Sequence, residues 1–321
     1  MNRRELMALL AGAAAAPGIA RAQQRPKKIP RIGIIDDGAF WNPFRDALGG
    51  AGYIDGQTVV FETRKADGNP DRLIAAAAEL VQLPVDLIAT YGTPATRAAK
   101  AATSTIPILM IGVGDPVTAG LVQSLAHPGG NVTGNTVLSP ELAPKRLQLI
   151  KEILPSAKQT ALLWNPDNAS NRAILEQLRS AASRQGLMFT AVEARTANDL
   201  DGAFAILAGQ RPDVVLITND AVHQSRLQKI ISLLFRHGLP SMFQDRDSAA
   251  AGGLMSYGAN FPDMFRQGAF FTQKILQGIL PADLPVQTPQ RYQLVINLRT
   301  AKAIGVTISE AIQLQADEVI E

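Results

Sequence analysis

The chain of 321 residues contains no cysteine. This excludes disulfides, thiolate metal sites and the cysteine that carries a bacterial lipid anchor. Histidine is nearly as scarce: His127, His223 and His237 stand far apart and show no metal-ligand spacing. Neither sign of charge dominates. The formal charge is +3, and it falls to +1 when Arg3, Arg4, Arg21 and Glu5 of the first 22 residues are set aside. A nucleic-acid partner therefore has no global electrostatic support. No apolar run is long enough to span a bilayer. The sequence has no G-x-S-x-G, no Walker A and no H-E-x-x-H. With 46% hydrophobic and 5% aromatic residues, the composition fits one or two globular domains with a sizeable core.

What is present begins at the N-terminus. Residues 1–22, MNRRELMALLAGAAAAPGIARA, set a short basic region before an apolar run from Leu6 to Ala16, then Ala20-Arg21-Ala22 before Gln23. This is the layout of a signal peptide with an A-x-A cleavage site near Ala22. Arg3-Arg4 suggests the twin-arginine route, although Glu5-Leu6-Met7 only approximates what usually follows the pair, and the general secretory route stays open. The expected location is the periplasm, with a mature chain not embedded in the membrane.

Residues 85–122, VDLIATYGTPATRAAKAATSTIPILMIGVGDPVTAGLV, place two strand-to-helix switches in succession. Each switch puts a capping residue before proline, Thr93-Pro94 and Asp115-Pro116, and the pattern recurs at Asn69-Pro70, Ser139-Pro140 and Asn165-Pro166. Threonine and aspartate cap well, and proline suits the first helical position, where its missing N–H is not needed. Strand ends feeding helix N-termini along one sheet edge make a crevice of free N–H groups suited to an anionic or zwitterionic solute.

Short apolar strands alternate with alanine-rich amphipathic stretches, which indicates βαβ units and parallel sheets. The first series runs from Ile32 through a helix at Val117–Leu125, and the alternation restarts at Thr160 after a crossing helix over Pro140–Leu154. The fold class expected is α/β, two doubly wound parallel-sheet lobes joined by a hinge. Residues 30–138 plus 252–285 are assigned to the first lobe, and 139–251 plus 286–321 to the second. Leu254–Tyr257 is read as a strand returning the chain to the first lobe.

Several segments together carry a family likeness. They are GTPAT–AAKAATSTIPI at 92–108, VGDPVTAGLVQSLAHPGGNVTG at 113–134, LAPKRLQLIKEILP at 142–155, LLWNP at 162–166, AGGLMSYGANF at 251–261 and KILQGILPADLPVQTP at 274–289. The sequence resembles the substrate-binding proteins of ABC importers, in the family that includes tryptophan- and tyrosine-binding members. The resemblance covers nearly the whole chain. It implies a type I periplasmic binding fold, closure around a small-molecule solute, the transmembrane permease subunits as partner, a monomer and no cofactor. It favours an amino-acid-like or carboxylate solute.

Candidate ligand residues sit at strand ends. Gly92, Thr93 and Thr96 would offer a helix N-terminus to a carboxylate. Asp115 is read equally as a cap or as the acceptor for an amine. Gly112-Val113-Gly114-Asp115-Pro116 resembles a dinucleotide fingerprint but has Val117 for the third glycine, and Pro116 removes an N–H, so no cofactor is expected there. Asp36 could hold an ammonium, and Phe40 could stack on a flat ligand. Asn165, Asn171, Asn219, Asp220 and Asp245 would line the facing wall, and Tyr257 could reach the cleft. The leading reading is a solute-binding protein without catalysis. The rivals are an exported α/β enzyme working in the same cleft, and a repressor-type sensor domain. The sensor reading is disfavoured by an export signal where a helix-turn-helix would stand.

Overall fold

The computed structural model describes residues 28–35, 39–67 and 69–321. The segment read as a signal peptide, and Asp36, lie outside them. The first sheet comprises β1 (Arg31–Ile35), β2 (Val60–Arg64), β3 (Leu87–Tyr91), β4 (Ile108–Val113) and β5 (Val132–Thr136). Its order is β2-β1-β3-β4-β5, with every pair parallel. Strand alternation sends Ile32, Ile34, Leu87, Ala89, Leu109 and Ile111 to one face. That face packs against α1 (Asn42–Gly50) and α10 (Phe261–Leu276). Ile35, Ile88, Ile108 and Met110 face the other way, onto α2 (Pro70–Gln82) and α3 (Gly92–Ala102). A parallel sheet covered on both faces needs near-continuous apolar strands, which these are.

The second sheet holds β6 (Gln159–Trp164), β7 (Met188–Glu193), β8 (Val214–Ile217), β9 (Ser241–Phe243), β10 (Met255–Ala259), β11 (Tyr292–Asn297) and β12 (Glu318–Ile320). The order is β12-β11-β10-β9-β8-β6-β7, and the β10–β11 pair is antiparallel. The sheet lies between α4 (Ser139–Ile153) with α5 (Ala169–Arg184) on one face, and α6 (Leu200–Gln210) with α8 (Leu227–His237) on the other.

The chain crosses between lobes three times: after β5, after β10, and between Gln287 and β11. Leu254–Tyr257 therefore differs from the sequence reading, since β10 pairs with β9 in the second sheet. The return to the first lobe comes at Asn260, where α10 begins. Gln287 in turn bridges to Asn135 at the edge of the first sheet. Val117–Leu125 also differs: it is a run of turns rather than a helix. The Asp115 carboxylate accepts the Val117 and Thr118 N–H groups, and Gly120 at φ +68° turns the backbone out of a helical path. Among the X-Pro switches, Asn69 caps α2 by accepting the Arg72 N–H at 3.0 Å. Asn165 instead makes a local turn to the Asp167 N–H, and the cap of α5 is Asn168.

Candidate functional site

The C-terminal ends of β3 and β4 in the first lobe face the C-terminal ends of β6, β8 and β9 in the second. Polar residues at those ends are there for local reasons. Asp220 caps α7 (Ala221–Ser225) by accepting the Val222 N–H at 3.0 Å. Asp245 caps α9 (Arg246–Ala250) by accepting the Ser248 N–H at 2.8 Å. Once placed as caps, their carboxylates are held at the cleft.

Two adjoining spaces lie between the lobes. The inner one is small, about 30 Å³, and is bounded by Gly92, Thr93, Ser170, Asn171 and Asp220. The outer one is about 390 Å³. Its first-lobe wall carries four aromatic rings, Phe40, Tyr91, Phe261 and Phe265, with Asp67, Asn260 and Pro262 beside them. Phe40 is 5.1 Å from Tyr91 and 5.5 Å from Phe265, centroid to centroid, and Phe261 is 5.8 Å from Tyr91. Its second-lobe wall is polar: Asn219, Gln224, Ser225 and Asp245, with Arg246 and Asp247 beyond.

The lobes touch through polar contacts. Thr93 Oγ1 and Ser170 Oγ are 2.8 Å apart, and the Tyr91 hydroxyl donates to Asn219 Oδ1 at 3.2 Å. Gly114 passes so close to Ser170 that a Cβ there would sit 2.6 Å from the serine Cβ. The Asp220 carboxylate accepts from Asn165 Nδ2 at 3.1 Å and from Asn168 Nδ2 at 2.9 Å. The Asp245 carboxylate takes Ser248 Oγ at 2.8 Å and Gln224 Nε2 at 2.9 Å besides its cap. Burial pushes its pKa above the usual carboxylate range, and the Ser248 hydrogen bonds offset this in part. Burial also raises the Tyr91 hydroxyl, with the Asp245 charge adding to it, so the phenol stays protonated and donates.

Of the residues expected from sequence, Phe40, Gly92, Thr93, Asn171, Asn219, Asp220 and Asp245 line these two spaces. The others do not. Thr96 turns into the first lobe, bonding Thr90 Oγ1 and the Gly92 carbonyl at 2.8 Å each. The Asp115 side chain is occupied in its turn. Asn165 lies behind Asp220 as a support. Tyr257 is on β10, its ring 6.1 Å from Tyr292 and its carbonyl bonded by Arg146.

Sequence reasoning missed Tyr91, Phe261, Phe265 and Gln224. Tyr91 had a usable signal, being the last strand residue before Gly92. It also missed Arg146 of α4, which is buried and donates to the Tyr257 carbonyl at 2.8 Å and the Ser139 carbonyl at 3.4 Å. That guanidinium joins the first crossing to the strand that leads into the second. Burial pushes its pKa down to about 10, with the nearby Tyr257 and Tyr292 opposing the shift. Among the described residues, no group of three His, Asp or Glu is placed to hold a metal ion. No described helix is long and apolar enough to cross a membrane.

Residues 39–320 match the family model described as ABC transporter substrate binding protein. A tyrosine-binding protein of Clostridioides difficile (strain R20291) is 28% identical over 277 residues, which cover 86% of this chain and 78% of that protein. Among solved structures, a conserved domain protein from Vibrio cholerae O1 biovar El Tor aligns with a TM-score of 0.85 and 30% identity, covering 91% of this chain and all of the other. The ABC domain from Streptococcus pneumoniae in complex with L-Trp aligns at 0.84 and 25% identity, covering 91% of this chain and 99% of the other. With a match from residue 39 to residue 320 laid over two lobes and a cleft of this form, the chain belongs to the ABC transporter substrate binding protein family.

Proposed function

We propose that this protein is the solute-binding component of an ABC importer, exported to the periplasm through residues 1–22 and acting there as a monomer. It takes an amino-acid-like solute with an aromatic side chain into the cleft between the lobes. The observation that carries this reading is the outer chamber of about 390 Å³, with an aromatic wall from one lobe and a polar wall from the other. That volume is toward the small end of ligand pockets, and neither wall alone encloses a ligand. Binding and lobe closure are thus one event: the solute docks on one wall and the second wall completes its contacts. The closed form is then what a transmembrane permease recognises. The tyrosine-binding relative and the L-Trp complex support an aromatic amino acid as the class of solute.

No catalysis is required. Thr93 and Ser170 hydroxyls bond each other, and neither has a general base among its described hydrogen bonds. An activated nucleophile needs such a base. The test is a thermal-shift screen of amino acids, small organic acids and aromatic acids. A solute that binds only the folded state at one hundred times its Kd adds about 2.7 kcal/mol of stability and raises Tm by several degrees. A flat response across the panel, or recovery of a bound solute in chemically altered form, contradicts the proposal.

A further inference from the structure

Arg146 is a costly residue for the place it occupies. It lies on the buried side of α4 with Ala143, Leu147 and Ile150, is 3% exposed, and has no carboxylate among its described hydrogen-bond partners. An apolar side chain of similar volume would fill that place without desolvating a charge. What the guanidinium adds is direction, because its planar fork holds several donors at fixed angles. Here Nε donates to the Tyr257 carbonyl at 2.8 Å and Nη1 to the Ser139 carbonyl at 3.4 Å.

Each of those carbonyls belongs to a crossing between the lobes. Ser139 opens α4 at the end of the first crossing, borders the inner space, and donates its own N–H to the Gly114 carbonyl at 3.1 Å. Tyr257 stands near the end of β10, where the second crossing leads into α10, and the first residue of that helix, Phe261, borders both spaces. Opposite Tyr257 on β11, Leu294 turns its N–H and its carbonyl to Asp317, and the pairing with β9 ends one residue earlier, at Ser256. The Tyr257 carbonyl goes to Arg146 instead. The third crossing ends at Tyr292, the first residue of β11, whose ring lies 6.1 Å from that of Tyr257. The Arg146 charge acts on both tyrosines. All three crossings thus meet around one side chain that lines neither space.

Resting on the reading that the lobes close on a solute, we propose that Arg146 is the positioning residue of the hinge. Its guanidinium holds the three crossings in the one geometry that brings Gly114 and Phe261 up to the facing lobe, and so sets solute affinity without touching solute. The lack of native cysteine allows a direct test: Ala78→Cys on α2 and Gln177→Cys on α5, both exposed, carry one spin label on each lobe. Label-to-label distances are measured by pulsed electron resonance in the mature protein, free and with saturating L-tryptophan or L-tyrosine. The distribution should be narrow with Arg146, broader in Arg146→Lys, which keeps the charge and one bond, and broadest in Arg146→Met, which keeps only the volume. Calorimetry should show affinity about tenfold or more weaker in Arg146→Met, with Arg146→Lys between it and the wild type. Melting curves identify the variants that fold; if Arg146→Met does not, Arg146→Lys decides. A folded variant with the wild-type distance distribution and affinity overturns the inference, even if it melts lower, and leaves the solute-binding reading standing. If the wild type binds neither amino acid, the aromatic amino-acid reading falls, and the distances in the free protein still decide whether Arg146 holds the hinge.

Discussion

Tyr91 is the side chain that the two lobes share. As the last residue of β3 it projects past the sheet edge, packs on Phe40, Phe261 and Phe265, and sends its hydroxyl across the cleft to Asn219. It also borders both spaces, together with Asn219, Ala221 and Phe261. Tyr91→Phe removes the cross-cleft bond and keeps the ring. Such a bond contributes about 1 kcal/mol, so affinity for the cognate solute should fall about fivefold. The melting temperature of the free protein should stay near that of the wild type, because the bond joins the lobes rather than building either core. Unchanged affinity by calorimetry would show that the hydroxyl takes no part in closure. The sequence reading was most limited at this scale. A polar residue at a strand end serves as a cap, a turn former or a cleft wall with the same sequence signature, so Asp115 and Asp245 look alike until the chain is folded. Phe261 and Phe265 carry no such positional signal, because a binding wall of aromatic rings has the same composition as a core.

At the scale of elements, β4 brings the lobes together. Its register against β5 shifts between Met110 and Val113, and Gly112 sits there at φ +65°. A Cβ on Gly112 would be 3.0 Å from both the Phe261 and the Tyr91 rings, so the missing side chain is what lets the aromatic wall lie against the strand. Two residues on, Gly114 makes the close approach to Ser170 with a φ outside the left-handed region. Gly114→Ala therefore fits the first lobe yet wedges the cleft. Solute affinity should drop about tenfold or more, with the free protein melting near the wild-type temperature. Ser170→Gly in the same chain should restore much of the affinity by removing the atoms the new methyl meets. Full affinity in Gly114→Ala alone would mean that the bound form does not close this far. Most βα units were legible from apolar periodicity and caps. β5 was not, because its residues VTGNT hold one apolar side chain among small and polar ones. Gly134 appears in that strand because the Met110 backbone lies where a Cβ would be. The Val117–Leu125 helix was read from residues whose backbone bonds instead close turns, Gly120 to Val117 and Leu121 to Pro116.

Over the whole molecule, the two-lobe division was readable because the βα alternation stops and restarts. The crossings were less so, since a strand such as β10 carries nothing in its own residues to say which sheet it joins. At the first crossing the backbone also departs from ordinary geometry. Leu138, between β5 and α4, holds φ +44°, a conformation uncommon for a non-glycine residue, and Arg146 ties the first crossing to the end of β10. The proposed closure needs the lobes to turn as rigid bodies about these three connections. The central claim is that solute binding closes these lobes and nothing more. Small-angle X-ray scattering of the mature protein, with and without a saturating solute identified by the thermal-shift screen, tests this most directly. The account predicts a smaller radius of gyration with solute bound; the same radius in both states, with the solute bound one to one, would contradict it.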